Sequence, residues 1–330
     1  MTIYEIAKMA NVSPATVSRV LNNKPGVSFK KRELIHQLIK DHYDEPRSDA
    51  EPNPDKEEKT VAILTDDPDS EYQSIGLAIC QNELLKAGYQ SVSRCIAEGI
   101  SYKTVFEMLK NEKVCGILMM GYSFTRHALI HEMITEWFSD IPVILVRQIS
   151  GPQFPNLFYV GTNERKGIAD CVDALIKKDR SNLALVLDKR LGEKNQTRYY
   201  FEQALLQYEG IRYCYYDDAE YSIEGGRSIA ARLMREHPET DGILCIRDRV
   251  AIGLLYGLVE LGKKVPEEIS IIGKDNSKLC EASNPPMTAL DTQLRDCIIM
   301  GIHLLLDTLD HRITTHRLLL DMNLVERGTL

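Results

Sequence analysis

The sequence predicts a small all-α helix-turn-helix head joined to an α/β core of two doubly wound lobes. Three observations carry this. Residues 3–22 hold two short amphipathic stretches separated by a three-residue turn. Residues 44–59 hold three prolines, seven acids and no large apolar residue, which marks an extended linker. From Thr60 onward, short apolar runs alternate with helical stretches, the pattern of buried parallel strands and their crossover helices.

In the head, Ile3, Ile6, Ala7 and Ala10 fall on one face of a first helix, and Val17, Val20 and Leu21 on one face of a second. Between them, Asn11-Val12-Ser13 makes the turn, and Ser13-Pro14 supplies a capping hydroxyl followed by proline at the first helical position. The outer face of the second helix carries Ala15, Thr16, Ser18 and Arg19, small side chains plus one long cation. Such a face suits entry into a DNA major groove, whereas the bland reading is a pair of bundle helices. A third helix is expected from Ser28 to about Tyr43, with Leu34, Ile35, Leu38 and Ile39 turned inward. Lys30, Lys31 and Arg32 crowd its first turn, where they oppose the helix dipole; they serve either a nearby phosphate backbone or only a solvated face.

Charge separates the two parts. Residues 1–47 carry a net +3 and residues 48–330 a net −11, so only the head is fit to approach a polyanion. At 330 residues and 44% apolar, the chain is too long for one core. Expected strands are 61–64, 114–120, 141–146, 183–187, 242–246 and 269–273; expected helices are 75–87, 128–138, 164–177, 199–208, 223–236 and 250–261. No apolar run reaches the ~20 residues of a membrane span and the amino terminus lacks a secretion-signal layout, so a cytoplasmic protein without a membrane partner is expected. The eight cysteines show no CxxC or CxxH spacing and read as reduced, buried thiols; no metal and no cofactor are expected. GxGxxG, P-loop, GxSxG and HExxH motifs are absent, which argues against an enzyme.

The string IYEIAKMANVSPATVSRVLNN strongly resembles the headpiece of the lactose-repressor/galactose-repressor (LacI/GalR) family, close to IxDVAxxAGVSxxTVSRVLN. Glu5 and Ile6 stand where the family has Asp and Val, and Asn11 stands where it has glycine. The resemblance implies that Pro14, Ala15 and Arg19 read bases, and that Thr16, Ser18 and Asn22 hold phosphates or fix the helix. Thr2, Tyr4 and Ser13, together with Lys30 and Lys31, complete the expected DNA-facing set. In the core, KVCGILMM, SDIPVILV, DGILCIRDRVAIGLLYGLVELGKKVPEEISIIGKDN, PPMTALDTQ and the terminal LVERGT are similar to family segments. They imply a periplasmic-binding-protein-like type I core whose lobes exchange the chain near Gly161–Asn163, Thr288–Asp291 and His311–Thr314. The expected domains are a head over 1–47, a linker over 48–59 and a core over 60–330. Its first lobe takes about 60–161 and 291–311, its second about 162–290 and 312–330.

The resemblance also implies a small effector in the interlobe cleft and double-stranded DNA as partner, with a homodimeric repressor on a palindromic operator. Departures from the family fall at both ends of that scheme. Arg147 and Arg247 stand where the family has Asp and Asn, Asp275 matches its ligand-binding Asp, and Arg198 is the nearest candidate for its pocket arginine. Asp66, Asp69, Ser70 and Tyr72 replace the usual cleft segment of the first lobe. Arg147 and Arg247 either grip a phosphate or carboxylate on a sugar derivative, or pair with Asp66 or Asp275; an ordinary neutral sugar held by other contacts also remains open. The linker lacks the basic hinge helix and the leucine wedge of relatives, so no hinge helix is expected and control through the core or a protein partner is an alternative.

Overall fold

The computed structural model describes residues 7–13, 16, 20, 27–28, 30–32, 34–35, 59–68, 70–97, 99–121, 124, 128–146, 154–189, 196–312 and 315–330. The chain divides into two compact units, residues 1–57 and 58–330.

In the first unit, the opening helix ends in a left-handed cap. Asn11 has φ +49°, Val12 N–H donates to the Ala7 carbonyl (2.9 Å), and Asn11 N–H donates to the Lys8 carbonyl (3.4 Å). This is the geometry glycine usually serves; asparagine is among the few side chains that tolerate it, which accounts for Asn11 at the family's glycine position. Two residues later Ser13 Oγ accepts from the Thr16 N–H (3.2 Å), so the second helix begins where the sequence places its cap. The third helix opens with Lys31 and Arg32 N–H bonded to the Ser28 carbonyl (3.1 and 3.0 Å). Ala7, Ala10, Val20 and Ile35 form the core of this unit, with Val12 and Val27 packed against it. Leu34 is a correction: it is 46% exposed, because its neighbour Ile35 takes the inward position and consecutive helical residues point about 100° apart. Ile3, Ile6, Val17, Leu21, Leu38 and Ile39, and the linker over 48–58, lie outside the described residues.

The second unit holds two six-stranded sheets. The first half of the chain runs β1 (Thr60–Thr65), α1 (Glu71–Lys86), β2 (Gln90–Cys95), α2 (Tyr102–Asn111), β3 (Gly116–Met120), α3 (Ala128–Trp137), β4 (Val143–Val146) and β5 (Leu157–Thr162). The second runs α4 (Glu164–Lys177), β6 (Asn182–Asp188), α5 (Thr197–Leu205), β7 (Arg212–Ala219), α6 (Ile223–Glu236), β8 (Gly242–Cys245), α7 (Asp248–Glu260), β9 (Ser270–Lys274), α8 (Lys278–Ala282) and β10 (Thr288–Asp291). The chain closes with α9 (Leu294–Leu309), β11 (Arg317–Leu320) and β12 (Asn323–Val325). Strand order is β11-β5-β4-β3-β1-β2 in one sheet and β12-β10-β9-β8-β6-β7 in the other. All pairs are parallel except β10 with β12.

The central strands explain the uninterrupted apolar runs. Every residue of β3 is buried, with Leu118 and Met120 facing one apolar cluster and Ile117 and Met119 facing the other. Each sheet is therefore covered on both faces: α1 and α9 against α2 and α3 on the first, α6 and α7 against α4 and α5 on the second. The edge strands β2 and β7 are half-exposed, so they carry no apolar run for the sequence to reveal.

The chain crosses between lobes three times, after β5, after β10 and after β11. The third crossing corrects the expectation near His311–Thr314. Residues 317–320 pair with β5 in the first sheet (Leu318 opposite Val160), so the first lobe extends through Leu320 and the crossing falls at Asp321-Met322.

Helices α6 and α7 meet backbone to backbone. A Cβ on Gly253 would lie 2.1 Å from the Ile223 carbonyl oxygen, and one on Gly226 would lie 2.2 Å from the Val250 carbonyl oxygen. Gly253→Ala must push the helices apart, and overpacking of this kind costs ~1–3 kcal/mol. Urea unfolding should show a lower midpoint; an unchanged midpoint would mean the helices are not seated this closely.

Candidate functional site

Two surfaces were marked by the sequence, and the head is the simpler. Ser13 is exposed and holds Thr16 both by its cap bond and by a hydroxyl contact (Oγ to Oγ1, 2.9 Å), while Lys30 and Lys31 stand exposed in the third helix. Ser13, Lys30 and Lys31 thus present a hydroxyl and two ammonium groups to solvent. Thr2, Tyr4, Pro14, Ala15, Ser18, Arg19 and Asn22 lie outside the described residues.

The core holds a cavity of about 370 Å³ between the lobes. Its first-lobe wall is α1, through Tyr72, Ile75 and Ile79; its second-lobe wall comes from the segments that follow the carboxyl ends of β7, β8, β9 and β10, through Tyr221, Asp248, Arg249, residues 275–279 and Asp291. Parallel strands place such segments on one side of a sheet, which is where α/β proteins hold ligands.

Behind this wall lies a buried ion cluster. Arg247, at the cap of α7, is 8% exposed; its Nε lies 3.4 Å from Asp188 Oδ2 and its Nη1 3.5 Å from Asp275 Oδ2. Arg247 and Asp275 are therefore brought together as the pairing alternative expected. Asp188 was missed, although an acid ending the apolar run Leu183–Leu187 is a visible signal. The Tyr221 ring lies 5.9 Å from the Arg247 guanidinium and 5.1 Å from that of Arg249. Asp275 has φ +119° and Asn276 φ +57°, two consecutive non-glycine residues in the left-handed region. Asp248 Oδ2 accepts the Ser277 N–H at 2.6 Å, while its Oδ1 is buried without a hydrogen bond. Burial first, and the nearby Asp275 carboxylate second, push the Asp248 carboxyl up to about 6.

The first-lobe candidates divide by role. Tyr72 lines the cavity. Asp66 Oδ1 accepts from Gln73 Nε2 (2.5 Å), and Gln73 Oε1 in turn accepts the Asp66 and Asp67 N–H groups (2.9 and 3.1 Å). Ser70 caps α1, accepting the Gln73 N–H at 3.3 Å, which is a structural duty. Asp69 and Arg147 lie outside the described residues. Arg198 is a correction: it stacks on the Tyr215 ring (3.5 Å) and pairs with Glu202 (2.8 Å) on the outer side of α5 and β7. It does not line the cavity, since α5 turns that position toward the edge strand. Lys274, also missed, is 4% exposed and ion-paired with Glu164, which further accepts from Thr197 Oγ1 (3.0 Å).

All eight cysteines are free, and burial pushes the thiols of Cys80, Cys171 and Cys245 up to about 12. Among the described residues, no group of three His, Cys, Asp or Glu could hold a metal ion, and no helix is long and apolar enough to cross a membrane.

The raised carboxyl has a readable sign. A carboxyl held above its ordinary value of 3.8 stabilises the fold below about pH 4 and loses that contribution as pH rises through about 6. Asp248→Asn keeps an acceptor for Ser277 but removes the charge, so its stability relative to the parent should improve between pH 4.5 and 7.5 by about 2 kcal/mol. Thermal denaturation across that range checks it; a difference independent of pH would place an ordinary, ionised carboxylate at Asp248.

Comparison with known proteins follows the same division. A model of bacterial regulatory proteins of the lacI family matches residues 2–43, and a model of the periplasmic binding protein-like domain matches residues 172–330. The chain is 27% identical over 338 residues to catabolite control protein A of Staphylococcus aureus, covering 100% of this chain and 99% of that one. It is 23% identical over 332 residues, with the same coverage, to an HTH-type transcriptional regulator of Lachnoclostridium phytofermentans. Among solved structures, the lac repressor dimer bound to operator and an anti-inducer superposes with TM-score 0.73 at 20% identity, covering 100% of this chain and 98% of that one. The CelR–cellobiose complex gives 0.68 at 22% (100% and 99% covered). The CCPA regulator of Weissella paramesenteroides with bound glucose gives 0.70 at 20% (82% and 98% covered). Matched at its amino end by the regulatory-head model and similar along its whole length to regulators of this build, the chain resembles the LacI family of bacterial regulatory proteins.

Proposed function

We propose that this regulator acts in the cytoplasm as a homodimeric repressor that binds a palindromic operator and is controlled by a neutral sugar in the interlobe cleft. A helix-turn-helix reads only a few base pairs, and pairing two heads doubles the reading on a symmetric site. The observation that carries the sugar reading is the state of Arg247. Its guanidinium is engaged by Asp188 and Asp275, so it is a counter-ion within the wall and not a grip reserved for a phosphate. The cavity presents carboxylates and two tyrosine rings beside the cations Arg249, Lys278 and Arg295; the carboxylates accept from sugar hydroxyls, the cations donate to hydroxyl oxygens, and the rings pack on a sugar face. Two solved neighbours carry cellobiose and glucose. The acidic linker, lacking wedge and cations, supports a tether that leaves half-site spacing loosely fixed and the DNA nearly straight.

Two measurements test this reading. Arg19→Ala should lose about 5- to 150-fold in affinity for an operator selected from random duplexes, since one bidentate base contact is worth ~1–3 kcal/mol, while leaving the thermal stability of the core unchanged. Equal affinity of variant and parent at the same salt would remove Arg19 from the reading surface. In thermal-shift titrations, glucose or cellobiose should stabilise the protein, by ~2.7 kcal/mol at a hundred times the dissociation constant, and glucose 6-phosphate should do less. A larger shift with the phosphate ester would favour the anionic effector instead.

A further inference from the structure

The carboxy-terminal segment Leu324–Thr329 packs against the second-lobe wall of the cleft. Thr329 is fully buried: its hydroxyl donates to the Ile271 carbonyl (2.7 Å) and accepts the Thr288 N–H (2.8 Å), seating the tail on β9 and β10. Arg327 then turns inward. Its Nη1 donates to the Met287 carbonyl and its Nη2 to Asn276 Oδ1, both at 2.8 Å; Glu281, at 3.6 Å, is a solvated outer partner. A guanidinium has only donors, so it fixes the Asn276 carbonyl toward itself and leaves the amide nitrogen facing the other way. There Asn276 Nδ2 donates to Asp291 Oδ2 (3.0 Å), and Asp291 Oδ1 accepts the Gln293 N–H (2.7 Å). Gln293 has φ +51° and is the residue from which α9 departs into the first lobe.

Four of these positions are conformationally costly or bear on the cleft. Asp275, Asn276 and Gln293 occupy the left-handed region, at ~1–3 kcal/mol each for a side chain without glycine's freedom, and persist only where surrounding contacts hold them. Asp275, Asn276, Asp291 and Gln293 all line the cavity. We propose that Arg327 is a positioning residue of the cleft: through Asn276 it holds the strained turn that presents Asp275, and through Asp291 it sets the crossing into the first lobe. The inference builds on the reading of the cleft as the effector site. A ligand that touches Asp275 or Asn276 then pulls on the same hydrogen-bonded line that ends at the lobe crossing.

Hydrogen–deuterium exchange on the full chain without ligand tests this. The amides of Asp275, Ser277 and Gln293 are bonded to Leu290 O, Asp248 Oδ2 and Asp291 Oδ1, so peptides over 270–279 and 289–299 report both ends of the line. Arg327→Met and Asn276→Ala should each speed exchange in both peptides by about ten-fold, with β6 and β8 unchanged and the double variant no faster than either single. Arg327→Lys, which keeps a donor, should give the same pattern at smaller amplitude and serves if Arg327→Met does not fold. Parental exchange over 289–299 in both single variants, additive effects in the double, or acceleration spread evenly through the second lobe would each overturn the proposal. No ligand enters the measurement, so a failure of glucose and cellobiose to bind would sink the sugar reading and leave this result standing.

Discussion

Three strands of the second sheet end in charges that meet at one guanidinium. Asp188 closes β6, Arg247 follows β8 and Asp275 follows β9, and these strands are parallel neighbours in the order β9-β8-β6. Parallel pairing sends all three carboxyl ends to the same side, so the side chains converge once the apolar runs are in register. Such a cluster stabilises little in net terms, because desolvation offsets attraction, but removing one member strands a buried charge at a cost of ~3–5 kcal/mol. Its effect is on geometry. It fixes where Asp275 stands, it places the Asp248 carboxyl beside a second carboxylate, and it brings two arginines to the Tyr221 ring. The second-lobe wall of the cleft is the consequence.

How much of this was legible depended on whether a residue acts locally. Helices 164–177 and 223–236 were placed to the residue, because Asn163 and Ser222 cap them with side chains that the sequence displays, accepting from Lys166 and Gly225 N–H (3.2 and 2.9 Å). The central strands β1, β3, β4, β6, β8 and β9 announced themselves as apolar runs since both faces are buried, whereas the central β5 and β10 were not among the expected strands. The edge strands did not announce themselves, and neither did β11, whose alternate exposure leaves Arg317 and Leu319 outward. Arg198 was misplaced because it was only the nearest candidate for the family's pocket arginine, and the helix turns it onto Tyr215. Lys274 and Asp188 were invisible for a different reason: each is defined by a partner over fifty residues distant in sequence, Glu164 and Arg247, and spacing carries no information at that range.

The substitutions at the family's ligand positions also read differently once the neighbours are known. An arginine in place of an asparagine suggests a demand for anions when viewed alone. Set between Asp188 and Asp275, it has two carboxylate partners within its own lobe, beside the strained turn at 275–276.

The outer edge of the second sheet bears on how the protein tolerates crowding. Strand β7 is eight residues long and leaves one row of backbone groups without a neighbouring strand, with Tyr213 and Tyr215 exposed beside it. A long unpaired edge templates sheet-to-sheet polymerisation. Here its pairing with β6 shifts register between Val186 and Asp188, which twists the far end away, and Asp217 and Asp218 stand exposed next to that break. Two copies brought edge to edge in antiparallel fashion would oppose irregular backbone and repeated negative charge, which disfavours pairing between copies along this edge.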